Sequence, residues 1–257
     1  MEEERIVYLC ALNSWFRAFF LSPFFKKIFI FSEEKKMKNN KITPRYIAVI
    51  AMFTALAFVS VVVSKVIPNV AGFLSYEPKD SLIAIAGFIF GPLSSVLISL
   101  LVSFIEMITI SSTGIYGFLM NVIATCAFAV PATLIYKKKK TKTGALVGLC
   151  VGVVSMVVCM LLWNYILTPL YMKVDRSMVV GMLVPVFLPF NLIKGGINAA
   201  IALLLYKPIV GALRAAKLVE KSNTDAEKAK FSWGFFCISI AVLITSILSF
   251  LAMIGVF

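Results

Sequence analysis

Long apolar runs of helical length, separated by short polar or basic stretches, organise this chain from about residue 44 onward. A helix needs about 20 mostly apolar residues to cross a bilayer, because the hydrocarbon core is roughly 30 Å thick and a helix rises about 1.5 Å per residue. Residues 44–67 form the first such run, opened by Pro44, which suits a helix start, and closed by Pro68. A polar loop follows, with Asn69, Gly72, Tyr76, Glu77, Pro78, Lys79 and Asp80. Residues 81–110 are apolar again, but Gly91-Pro92 interrupts them and either kinks one helix or separates two. Later runs cover 115–136, 144–170 and 186–206, the last entered through Pro185 and Pro189. These runs are too long and continuous for the ten-residue alternating strands of a membrane barrel.

The basic residues decide between a kink and a turn. They cluster at Lys35, Lys36, Lys38, Lys41 and Arg45, at Lys137–Lys140 with Lys142, and from Lys207 through Arg214, Lys217, Lys221, Lys228 and Lys230. Basic loops stay in the cytoplasm, and all three clusters can do so only if 81–110 crosses twice. The sequence therefore predicts two short, tilted helices, 81–91 and 92–110, joined by a tight cytoplasmic Gly-Pro turn. Eleven residues reach only about 16 Å, so the first of them must be shielded by its neighbours. The outer loops are then 68–80, 111–114 and 171–180, and they carry only Lys79, Lys173 and Arg176 as basic residues.

The organisation that follows is an all-α integral membrane protein. Residues 37–210 form a six-helix membrane domain, 211–231 a charged cytoplasmic linker, and 232–257 a segment long enough for a seventh helix. Residues 1–36 form an extension whose aromatic-rich apolar run, broken by Arg17, Lys26 and Lys27, reads as an interfacial helix.

Composition agrees with this pattern. The 257 residues are 61% hydrophobic, with a mean hydropathy of +0.98, against roughly 45–50% apolar residues in soluble domains. The net charge of +13 lies in short clusters between apolar runs and reads as a topology signal, not as a nucleic-acid surface. The five cysteines have no metal-type spacing and read as packing or lipid-facing residues; histidine is absent from the chain. No phosphate-loop motif is present, so the chain cannot hydrolyse ATP by that route, and no metal or Ser/His/Asp constellation occurs.

Polar side chains inside spans are costly, so each is a site candidate. Asn191, Lys194 and Asn198 fall on one face of the sixth helix. Glu106 shares a face of the third helix with Ser95, Ser99 and Ser103; it could pair with Lys194, accept a proton from a ligand, or approach the outer loop and stay hydrated. Asn121, and Asn164 beside Tyr165, add amides in the outer halves of the fourth and fifth helices. Small-residue spacings at Ala51 and Ala55, and at Gly144, Gly148 and Gly152, allow close helix approach.

Residues 41–210 carry a set of strings that resembles the substrate-binding S component of energy-coupling factor (ECF) vitamin transporters, the riboflavin-specific type above all. The strings are Ala51-x-x-x-Ala55, Tyr76-Glu77-Pro78-Lys79-Asp80, Phe90-Gly91-Pro92, residues 117–121, Asn164 through Tyr171, and Pro189 through Gly195. The resemblance implies a six-helix S-component bundle in a bacterial cell membrane, with no catalytic activity and no cofactor. Such a subunit binds its vitamin near the extracellular face and works with a transmembrane coupling subunit and two ATPases, tilting in the membrane to deliver it. It also implies ligand contacts at Asn164, Asn191 and Lys194, Asp80 at the border of the pocket, and a coupling-subunit contact at Ala51 and Ala55. Asn121, Tyr165, Phe190 and Glu106 complete the candidate ligand-binding set; Phe118, Trp163 and Tyr171 are further aromatic walls for a flat ring.

Glu106 and the Thr109–Gly114 segment depart from the expected basic or amide-rich stretch. They leave open an S component for another water-soluble vitamin. A proton-coupled secondary transporter using Glu106 is a second alternative, and a membrane scaffold whose polar residues only join helices a third.

Overall fold

The chain enters its first helix at a proline and leaves it through a tightened turn. In the computed structural model, which describes residues 43–219 and 233–255, α1 spans Pro44–Ser64. The amides of Lys65, Val66 and Ile67 then reach back three residues to the last carbonyls of α1 before Pro68 ends the run. The interfacial extension read in residues 1–36 lies outside the described residues, as do residues 220–231 of the linker.

The Gly91-Pro92 pair separates two helices, as the charge pattern requires. α2 spans Lys79–Phe90 and α3 spans Pro92–Thr109. Gly91 sits at φ 102° and ψ 172°, a conformation open to glycine and strained for other residues. Pro92 takes the first turn of α3, where a missing N–H costs no helical bond. The short α2 is buried over most of its length, packed by α3, α4 and α6.

α4 spans Gly114–Lys139 and α5 spans Lys142–Met172. Lys140 closes α4 in the left-handed conformation, and Thr141 caps α5 by accepting a hydrogen bond from Gly144 N at 3.0 Å. The two helices pack closely because Gly148 and Gly152 lie against the α4 backbone. A Cβ on Gly148 would come within 2.6 Å of Ala132 O, and one on Gly152 would collide with Phe128 O.

The sixth helix begins earlier than the apolar pattern predicted. α6 runs from Arg176 to Ala215, starting ahead of Pro185 and Pro189 instead of at them. The prolines are accommodated because the chain widens into a π turn at Leu183–Phe187, where Leu188 N reaches Leu183 O. That wider ring makes room around Pro189, which has no N–H to donate. The outer connection expected at 171–180 is therefore only Lys173–Asp175, with Lys173 left-handed.

α7 spans Trp233–Met253 and packs on α6, where Gly196 faces Ser246 closely enough that a Cβ would lie 2.8 Å from its Oγ. Among the described residues, six helices, α1 and α3 to α7, are long and apolar enough to cross a membrane. Large apolar side chains point outward from them, including Ile47, Val59 and Val63 of α1 and Ile238, Ile244 and Leu248 of α7. The result is an all-α membrane bundle whose most enclosed member is its shortest.

Replacing Gly152 with leucine is expected to destabilise the bundle by about 1–3 kcal/mol or more, the range for forcing bulk into a packed core. A lowered thermal midpoint in detergent would report it. Gly211→Leu, at a position with open space around its Cα, should leave that midpoint unchanged.

Candidate functional site

The polar loop after α1 folds on itself before it turns inward. Val70 and Leu74 exchange backbone hydrogen bonds of 2.9 and 3.0 Å around Ala71 and Gly72, both at positive φ. The chain then runs through Tyr76 and Pro78 into α2, and Glu77 just before the helix and Lys79 and Asp80 in its first turn are interior at 4%, 1% and 0% exposure. Charges buried that deeply require partners.

Each finds them on other helices. Lys79 Nζ lies 2.6 Å from Glu106 Oε2 on α3 and 2.9 Å from Glu77 Oε2. Asn121 on α4 donates to the same Glu106 oxygen at 3.0 Å, and the half-exposed Lys65 stands 3.8 Å from the other. On α6, Lys194 Nζ is 3.5 Å from Glu77 Oε2 and 3.9 Å from Asp80 Oδ2. Asp80 Oδ1 accepts from Thr125 at 2.6 Å, while its Oδ2 is buried without a hydrogen bond among the described residues.

Asn198 fastens this assembly. Its Nδ2 donates to the carbonyls of Glu77 and Lys194 at 3.1 and 3.0 Å, and its Oδ1 accepts from Ser81 N at 3.2 Å, which joins α6 to the start of α2. Burial alone would raise the Glu77 carboxyl, but the Lys79 and Lys194 ammonium groups outweigh it and hold the group well below the usual carboxylate range. Three cations, Lys65, Lys79 and Lys194, face three carboxylates, Glu77, Asp80 and Glu106.

The two buried lysines differ in how fully they are used. Lys79 is committed by two short contacts to carboxylates. Lys194 holds its partners at longer range, which leaves ammonium donors for another acceptor. One turn before it, Asn191 gives its Nδ2 to Phe187 O at 2.8 Å, and its Oδ1 has no partner among the described residues. On α5, Asn164 donates to Met160 O at 2.7 Å and accepts from Thr168 at 3.0 Å. Gly195 abuts Val153 and Met156, so the antiparallel run of α5 and α6 puts Asn164 about one to two turns beyond the level of Asn191, toward the Lys173–Asp175 connection.

The sequence candidates therefore fall into groups. Lys194 and Asp80 come together, Glu106 and Asn121 come together, and Asn191 lies one turn from Lys194. Glu106 meets Lys79 and Asn121; among the pairings considered from sequence, the one with Lys194 does not form. Phe190 is buried in an apolar cluster with Val70, Tyr76, Ile197 and Phe250. Tyr165 stands apart at 36% exposure, with the Arg176 guanidinium 4.9 Å from its ring centre. An open depression lined by Lys173, Val174, Asp175, Ser177 and Met178 shares no residue with the charged set.

Glu77, Lys79, Thr125 and Asn198 were absent from the sequence-derived set of binding residues. Glu77 and Lys79 look like ordinary loop charges beside a helix start, and the burial of α2 is what makes them interior. Asn198 had a readable signal, its place on the Asn191 and Lys194 face.

Charged and amide side chains converging inside an α-helical membrane bundle mark a candidate site for a small polar molecule. Residues 45–206 match the ECF transporter substrate-specific component family, and the chain belongs to it. It is 26% identical over 185 residues to the riboflavin transporter RibU of Staphylococcus aureus (strain TCH60), covering 70% of this chain and 97% of that protein. Against the riboflavin transporter FmnP of Bacillus subtilis (strain 168), it is 27% identical over 184 residues, covering 67% and 97%. A solved S component of a bacterial ECF transporter superposes with a TM-score of 0.56 at 28% identity, covering 65% of this chain and 96% of that one. The match in fold extends the resemblance read from the sequence strings over 65% of this chain.

Removing Lys79 alone would leave Glu77 and Glu106 facing each other in the interior. Lys79→Met is expected to cost about 3–5 kcal/mol of stability, the range for breaking one partner out of a buried ion pair. Lys79→Met combined with Glu106→Gln should recover a large part of that loss. Thermal unfolding of the single and double variants in detergent measures the coupling.

Proposed function

We propose that this chain is the riboflavin-binding S component of an ECF importer in a bacterial cell membrane, with residues 37–210 as its substrate-binding domain. The observation that carries the reading is the α6 face on which Asn191 and Lys194 lie one turn apart with hydrogen-bonding capacity to spare, in a family whose relatives named above are riboflavin transporters. A flavin edge alternates carbonyl acceptors with an N–H donor. The free Asn191 oxygen complements the donor, and the Lys194 ammonium complements a carbonyl. Asn164 supplies a second amide, with Asp80 and Asn121 at the border of the pocket. Phe118, Trp163 and Tyr171 provide aromatic surface near the same end.

Orientation follows from charge. The charged set lies by the end of α1, the end of α3, the starts of α2 and α4 and the middle of α6, away from the basic turn at 137–142 and the basic end of α6. With the basic end in the cytoplasm, the site faces the outside. Glu106, held by both Lys79 and Asn121, is occupied as a structural carboxylate, which favours capture driven by partner subunits over proton coupling through this residue.

Delivery then depends on a transmembrane coupling subunit and two ATPases. Ala51 and Ala55 are exposed on α1, and their small side chains permit a close approach by another helix. The last helix packs on α6 and leaves that face of α1 uncovered.

Protein purified from cells grown in rich medium should carry a flavin absorption spectrum, with riboflavin identified by mass spectrometry after denaturation. A different vitamin in the released fraction would keep the family and overturn the substrate. Lys194→Ala and Asn191→Ala should each weaken riboflavin binding by about 1–3 kcal/mol, the cost of an unpaired polar group, as measured by flavin fluorescence titration. In cells, concentrative uptake should require the ATPase subunits; full uptake by this chain alone would sink the importer assignment. Ala51→Trp should spare riboflavin binding while lowering co-purification with the coupling subunit.

A further inference from the structure

The loop that leads into the charged set is held at two points, and one of them lies outside the family match. Phe73 rests on Phe187 of the α6 π turn, with ring centres 5.8 Å apart. Tyr76 meets Phe250 of α7 edge-on, also at 5.8 Å, with the rings inclined by 61°. Phe250 is 6% exposed, and Val70, Phe190 and Ile197 complete the buried cluster around the pair. Residues 45–206 match the family, so the second anchor is carried by a helix beyond it.

The location gives that anchor a consequence. Tyr76 immediately precedes Glu77, whose carboxylate faces both Lys79 and Lys194, and Asp80 follows within the next turn. The Tyr76 hydroxyl is buried without a hydrogen bond among the described residues, so its ring is seated by apolar contact and not by a polar one. Gly196 fixes the docking of α7 by letting Ser246 approach α6 closely, and this sets where Phe250 arrives.

We propose that Phe250 is a positioning residue for ligand capture: by seating Tyr76, it holds the 76–80 segment where Glu77 and Asp80 face Lys194. The proposal rests on the riboflavin-binding reading above. Loss of the ring leaves Phe73, the Val70–Leu74 bridge and the Ser75 to Asn69 hydrogen bond of 2.9 Å to hold the loop. The bound vitamin should then escape faster, because a loosened loop opens more often.

The test uses the full chain in detergent, with riboflavin association and dissociation followed by stopped-flow flavin fluorescence. Hydrogen exchange of the loop amides around Val70 and Leu74 is measured in parallel without ligand. Phe250→Ala should raise the dissociation rate about three- to tenfold, the fold-change equivalent to losing one aromatic pair contact, with a smaller change in the association rate and faster loop exchange. Phe250→Tyr should restore both, and Leu248→Ala on the exposed side of α7 should change neither. Phe250→Leu, which keeps apolar bulk but loses the ring contact, gives an intermediate rate and serves if the alanine variant does not fold. Wild-type dissociation and wild-type loop exchange in a folded Phe250 variant would overturn the proposal. If the unaltered chain binds no riboflavin, the functional reading fails, and the exchange measurement then decides the anchor by itself: unchanged exchange refutes it, faster exchange supports it.

Discussion

The structure is built around a lysine that is 1% exposed. Lys79 enters the bundle at the first turn of its shortest helix, and an ammonium there is tolerable only because two carboxylates from different parts of the chain meet it. Satisfying that charge fixes α2 against α3 through Glu106. Glu106 brings in α4 through Asn121, and Glu77 brings in α6 through Lys194. Hydrophobic contact alone could slide or rotate these helices in a bilayer, since lipid tails are as apolar as their side chains. Directional contacts to one buried cation remove that freedom.

The same arrangement divides labour between the two lysines of the interior. Lys79 is locked and sets the geometry. Lys194, which shares Glu77 with it and adds Asp80, both at longer range, keeps ammonium donors for another acceptor. A site of this kind arrives preorganised, because the groups that orient the reactive ammonium are already tied to other helices. The glycines of α5 act at a different level: they let α5 lie close against α4, with Gly148 and Gly152 against the α4 backbone.

Much of this was legible in the sequence for simple reasons. The Gly91-Pro92 pair and the three basic clusters together demanded two helices where a hydropathy profile shows one run, and Gly91 turns as expected. The face carrying Asn191, Lys194 and Asn198 followed from helical periodicity. Two features were hidden. The start of α6 at Arg176 could not be read through Pro185 and Pro189, because a π turn absorbs prolines that normally mark a boundary. Glu77 and Lys79 looked like solvated loop charges, since nothing local signals that α2 is enclosed on its sides. The partner of Glu106 was missed for the same reason: Lys194 was the visible intramembrane cation, while the nearer cation was disguised as part of a loop.

The balance of the interior charges has an electrical consequence. A single elementary charge moved through a membrane potential of 100 mV exchanges about 2.3 kcal/mol with the field. Lys65, Lys79 and Lys194 are matched by Glu77, Asp80 and Glu106, so a displacement of these six groups together carries both signs. The field then does almost no net work on the movement. The voltage across the membrane then neither helps nor hinders a shift of these six groups as a unit.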